Sequence, residues 1–126
     1  MIKTKRACGM SKHMNWNQLN ENNLLNTIKE ESSNGPVLIF KHSTRCSISS
    51  MALNRLERSW QEEDMSNIKP YYLDLISYRD ISNEIATEFD VPHQSPQVIV
   101  IKDGKAIYDN SHMGINYDDL KGIAKN

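Results

Sequence analysis

The chain has 126 residues, 38% of them hydrophobic, a length and composition that suit one domain with a modest core. Charged residues make up 25% and the formal net charge is -1, so composition does not mark a nucleic-acid binder. No stretch approaches the ~20 apolar residues of a membrane span, and no apolar run follows the basic N-terminus, so neither a membrane helix nor a signal peptide is expected.

Residues 1–13 carry Lys3, Lys5, Arg6 and Lys12 and no acidic side chain. They read as a flexible basic tail, with residues 14–126 as the domain. There are two cysteines, Cys8 and Cys46. Because Cys8 falls in the tail, a disulfide framework is not expected, and a reducing cytoplasm is the expected setting. Nothing fixes Cys8 near Cys46, so it reads as an untethered thiol unless the tail folds back.

From Trp16 to Ser32 the pattern is helical. Leu24, Leu25 and Ile28 recur at helical spacing, and Asn20 is a candidate N-cap. Ser33-Asn34-Gly35-Pro36 ends the helix. Val37-Leu38-Ile39-Phe40 is apolar on both faces, as a central strand covered by helices should be. Lys41 to Arg45 form a short loop, and a helix runs from Cys46 to about Glu63. Ile48, Ala52, Leu56 and Trp60 give its apolar stripe at i, i+4 spacing. Ile68 to Leu75 reads as a second strand, with Tyr71 and Tyr72 packing in it. Ser77 and Asp80 suggest a capping box for a helix ending near Phe89. Residues 90–96 form a loop with two prolines. Val98-Ile99-Val100-Ile101 is a strand, Asp103-Gly104 a hairpin signal, and Lys105–Tyr108 the return strand. Asn116 caps a final helix with Asp118 and Asp119 in its first turn and Leu120 and Ile123 inside.

This order predicts an α/β domain with a mixed four-stranded sheet flanked by helices. The helix joining the first two strands makes them parallel, and the last two form an antiparallel hairpin.

Cys46 carries the chemistry in this reading. The start of a helix has free N–H groups and partial positive charge, and both favour an anion. A thiol there loses its proton more easily, and the thiolate is the nucleophile. Arg45 adds positive charge, and the Ser47 N–H belongs to the same helix start. Ser49, three residues on, is placed to turn its hydroxyl towards the sulfur. His42 either tunes Cys46 or is hydrogen-bonded for structure. In Cys46-Ser47-Ile48-Ser49 a serine stands where a dithiol oxidoreductase has its second cysteine. Such a site cannot resolve its own mixed disulfide, and release needs an external thiol. His13, His42, His93 and His112 show no helical ligand spacing, so no metal site is expected.

These residues resemble a known family. Lys41-His42-Ser43-Thr44-Arg45-Cys46-Ser47-Ile48-Ser49 is similar to the signature of the monothiol bacilliredoxins of the YtxJ-like family, in the thioredoxin-like superfamily. His93-Gln94-Ser95-Pro96-Gln97 and Ser111-His112-Met113-Gly114-Ile115 extend the likeness, which covers about residues 16–125. The family's usual form is Thr-Cys-Pro-Ile-Ser. Here Arg45 stands directly before the cysteine and Ser47 replaces the proline. Ser47 keeps its N–H but lacks the fixed φ of proline.

The resemblance implies a thioredoxin-like fold and a thiol–disulfide oxidoreductase. It would remove bacillithiol, a low-molecular-weight thiol, from mixed disulfides on client protein cysteines. Cys46 would be the nucleophile and bacillithiol a co-substrate, with no prosthetic group. Pro96 is then the candidate cis-proline. Ser95 presents its backbone edge-on to a bound thiol or peptide, Thr44 lies on the substrate side, and Gly114 either allows close approach beside Pro96 or is a plain turn glycine. Two other readings stay open. One is a thioredoxin-fold binding module without turnover, and the other is the same chemistry on a different low-molecular-weight thiol.

Overall fold

The computed structural model describes residues 16–125. The tail at 1–13, with Cys8, lies outside them, as does the expected start of the domain at 14.

The strands are β1 (Asn17–Gln18), β2 (Val37–His42), β3 (Lys69–Asp74), β4 (Gln97–Lys102) and β5 (Lys105–Ser111). The helices are α1 (Leu24–Glu31), α2 (Ser47–Ser59), α3 (Glu62–Met65), α4 (Arg79–Glu88) and α5 (Tyr117–Ala124), with a 3-10 turn at His112–Gly114. The strands form one mixed sheet in the order β1-β3-β2-β4-β5. β2 is parallel to β3 and antiparallel to β4, and β4 and β5 make the expected hairpin.

Alternation along β2 sorts the core into two layers. Val37 and Ile39 point one way, with Tyr71, Leu73, Ile99 and Ile101, into a cluster closed by Leu25 and Ile28 of α1 and Ile81 and Ile85 of α4. Leu38 and Phe40 point the other way, with Val98 and Val100, against Ala52, Leu56 and Trp60 and against Leu120 and Ala124 of α5. All six residues of β2 are buried, which explains why the strand reads as an unbroken apolar run before Lys41.

The structure corrects the sequence reading in four places. The sheet has five strands, because Asn17 and Gln18 pair with Tyr71 and Tyr72 where a helix is expected. Leu19 continues this segment: its N–H donates to Tyr72 O at 2.9 Å, and its side chain is buried. α1 therefore begins only at Leu24, after Asn23 and not after Asn20. The helix from Cys46 stops at Ser59, since Trp60 turns to an extended conformation (φ -65°, ψ 124°) and packs into the core beside Tyr117. Finally, Ser77 makes no capping box. Its hydroxyl donates to Asp74 Oδ2, while Asp74 Oδ1 accepts the N–H groups of Ile76 and Ser77.

Two turn readings hold. Asp103 (φ 53°) and Gly104 (φ 77°) both adopt the left-handed conformation that a two-residue hairpin needs. The side chain of Asn116 accepts the Asp119 N–H at 2.9 Å and caps α5.

Candidate active site

Strand order fixes where the site lies. β2 leaves the sheet at His42, and β4 enters at Gln97, whose partner on β2 is Lys41. The loop to Cys46 and the loop that ends in Pro96 therefore flank the same end of the sheet, on neighbouring strands. The Ser95–Pro96 peptide is cis. Neither backbone group of Ser95 has a hydrogen-bond partner among the described residues, whereas Pro96 O accepts the His112 N–H at 3.1 Å.

Cys46 is the N-cap of α2 (φ -108°, ψ 121°) and is partly exposed. Its N–H donates to Ser43 O at 3.1 Å, and its carbonyl accepts the Ser50 N–H at 3.0 Å, which closes the first helical turn. Thr44, Arg45 and Ser47 are exposed around it. Ile48 and Met51 of α2 and Met113 of the 3-10 turn are also exposed, at 53%, 67% and 78%. The apolar stripe of α2 thus enters the core only from Ala52.

Ser49 is placed differently from expectation. Its hydroxyl is buried and faces away from bulk solvent, 2.7 Å from His42 Nδ1, and it accepts the Ser43 N–H at 3.0 Å. It ties the end of β2 to the first turn of α2, and no hydrogen bond from it to Cys46 is present among the described residues. His42 is buried, which pushes its pKa below the ordinary value, although Asp74 and Glu57 oppose the shift. Burial thus favours the neutral ring, held at Nδ1 by the Ser49 hydroxyl.

Gly114 also has a local explanation. A Cβ at this position would overlap the Asn110 carboxamide, whose oxygen accepts the Ser111 N–H and whose nitrogen donates to Tyr108. The 3-10 turn packs beside α2, and Arg55 Nη2 donates to Ile115 O at 2.9 Å.

Sequence reasoning missed the other face of the sheet end. Lys41 is fully buried. Its Nζ donates to Ser82 O at 3.3 Å and lies 3.4 Å from His93 Nδ1. Burial lowers its pKa from 10.5 to about 8. The signal was present: a lysine directly following four apolar residues of a central strand must either end the strand or be buried within it. Gln97 is buried too, and its side chain braces the proline loop by donating to Pro92 O at 3.0 Å and accepting the Gln94 N–H at 3.4 Å.

Among the described residues, no group of three or more His, Cys, Asp or Glu side chains is arranged to hold a metal, and no helix is long and apolar enough to cross a membrane.

Known proteins share this fold. A family model described as monothiol bacilliredoxin BrxC matches residues 17–120. A solved oxidoreductase with a thioredoxin fold is 30% identical, with a TM-score of 0.72 over 86% of this chain and 92% of the other. A chain from a structure of the thiol-resolving mechanism in yeast mitochondrial 1-Cys peroxiredoxin is 25% identical, with a TM-score of 0.62 over 92% and 100%. The thioredoxin of Malassezia sympodialis is only 14% identical, yet has a TM-score of 0.68 over 95% and 96%, a likeness of fold alone. With a single cysteine at the head of α2 and a cis-proline beside it, the chain belongs to the monothiol bacilliredoxin family and is a thiol–disulfide oxidoreductase of thioredoxin fold.

Proposed function

We propose that the chain removes bacillithiol from mixed disulfides on protein cysteines, in the cytoplasm, through Cys46. The observation that carries this reading is the family match across residues 17–120, which spans Cys46 and the Ser95–Pro96 loop. The absence of a cysteine at position 49 supports transfer of a small thiol over reduction of a protein's own disulfide.

In the first step the Cys46 thiolate attacks the bacillithiol sulfur of the client's mixed disulfide. The client leaves as a thiolate, and Cys46 is left in a disulfide with bacillithiol. A second thiol then attacks the bacillithiol sulfur, forms a new disulfide with it, and returns Cys46 as the thiol. No prosthetic group enters either step. Cys46 stands at the N-terminus of α2, and Arg45 precedes it in the chain. The backbone of Ser95, without a partner among the described residues, suits pairing with an extended segment of the client, and exposed Thr44 is available to contact it. Exposed Ile48, Met51 and Met113 offer apolar contact to a protein partner.

The likeness at 25% identity to a structure described with the glutathione/thioredoxin systems makes glutathione the competing thiol. The test is a transfer assay read by intact mass, using one client protein loaded in turn with bacillithiol and with glutathione. Wild type should gain the bacillithiol mass, and Cys46→Ser should gain nothing. Preferential gain of glutathione would change the thiol, and no gain from either would remove the enzymatic reading for both.

A further inference from the structure

Lys41 is a buried ammonium that no carboxylate neutralises among the described residues. Such a charge is costly, and an apolar side chain at the same place would avoid the penalty. What the ammonium touches is the loop at residues 90–96. Besides the Ser82 carbonyl, its neighbour is His93 Nδ1, which the Ser82 hydroxyl also approaches at 3.2 Å. This loop ends in Ser95 and Pro96. Its other polar brace, the Gln97 side chain, contains no ionisable group.

We propose that Lys41 is a positioning residue: through His93 it fixes the loop that presents Ser95 and Pro96, and so sets how a substrate disulfide is received beside Cys46. The proposal rests on the reading of Cys46 as the nucleophile of mixed-disulfide transfer.

The protonation logic follows from the geometry. The contact forms when Lys41 carries its proton and His93 Nδ1 is free to accept it. A protonated His93 would aim Nδ1–H at an ammonium. The charges that face His93 are Lys41 from β2 and Arg79 from α4. Burial lowers the pKa of His93, and these two positive charges lower it further. For Lys41, burial alone lowers it to about 8. The loop is therefore held between the titration of His93 on the acid side and about pH 8 on the alkaline side.

The experiment uses the full chain and Lys41→Met, with two readouts. The first is an NMR titration of the His93 ring, which needs no substrate. Loss of the neighbouring cation should move its midpoint upward, and an unmoved midpoint overturns the proposal. The second is steady-state transfer from a bacillithiol-loaded client. KM should rise about tenfold with kcat nearly constant, the signature of lost positioning rather than lost chemistry. Equal KM values, or a fall confined to kcat, overturn the proposal. A pair at the other end of the contact covers the case in which Lys41→Met does not fold. His93→Leu should raise KM similarly, and His93→Gln, whose carboxamide oxygen can still accept the Lys41 N–H, should recover most of the loss. Equal KM in these two variants overturns the proposal. If wild type transfers no thiol at all, the assignment of mixed-disulfide transfer fails, and the His93 titration still decides whether Lys41 controls His93.

Discussion

The two faces of the sheet are built alike up to Phe40 and differently beyond it. On each, β2 and β4 contribute buried apolar side chains to a layer closed by helices, and β3 adds Tyr71 and Leu73 to one of them. Then the last residues of β2 diverge. His42 continues the face under α2, with its Nδ1 on the Ser49 hydroxyl. Lys41 continues the face under α4 and holds a peptide carbonyl and His93. The apolar layers account for stability by burial. The polar ends decide geometry: one anchors the helix that starts after Cys46, and the other anchors the loop that carries Pro96. The two sides of the site are thus set from a single strand end, one from each face.

This contrast predicts that the largest stability effects lie in the shared apolar part. Phe40 is fully buried between Trp16 and the α2 face. Phe40→Ala should cost about 3–5 kcal/mol in urea unfolding, more than any polar change nearby. A smaller loss would mean that the layer collapses around the cavity.

Lys41→Met should act in the opposite direction. In the folded chain Lys41 releases its proton near pH 8, against 10.5 for the exposed side chain. Between these values the unfolded chain binds more protons, so the contribution of Lys41 to stability improves as pH rises, by on the order of 3 kcal/mol across the window. Lys41→Met should therefore be more stable than wild type at pH 7, and the difference should shrink above pH 8. Tyr71, Tyr72 and Tyr108 have raised pKa values and oppose this trend above pH 10, so the comparison is between the two chains at each pH. A pH-independent difference would show that Lys41 keeps its ordinary pKa in the folded chain, so that burial does not lower it.

Much of this was legible in the sequence, for physical reasons. The run Val37–Phe40 has the composition of a strand buried on both faces, and a polar loop leading to a helix pattern places Cys46 at a helix start whatever the tertiary context. Asp103-Gly104 and Asn116 act through local backbone chemistry, so their readings transfer directly. The errors came where a partner far along the chain decides. Trp16 to Leu19 looked helical because β1 is only two residues long, too short to show alternation, and its evidence is the edge of β3. The spacing of Ser49 is right for facing the sulfur. The His42 ring and the Ser43 N–H compete for its hydroxyl, however, and neither contact is visible from helical spacing alone. The role of Lys41 depends on Ser82 and His93, which lie 41 and 52 residues away.

Ser49→Ala tests the α2 face at its polar end and should have the smallest effect of the three. The substitution leaves the Ser43 N–H and His42 Nδ1 without their partner. One unsatisfied, largely buried N–H should cost about 1–3 kcal/mol. The loss falls on the link between β2 and α2, so urea unfolding should record it at neutral pH. The informative readout is the sulfur itself. If the Ser49 hydroxyl serves His42 and Ser43, the rate of Cys46 alkylation by iodoacetamide should stay at the wild-type level, because nothing that touches the thiol has been removed. A tenfold slower reaction at unchanged stability would instead mean that the hydroxyl swings to the sulfur in solution. The α2 face would then contribute to the chemistry directly, as the sequence spacing alone suggests.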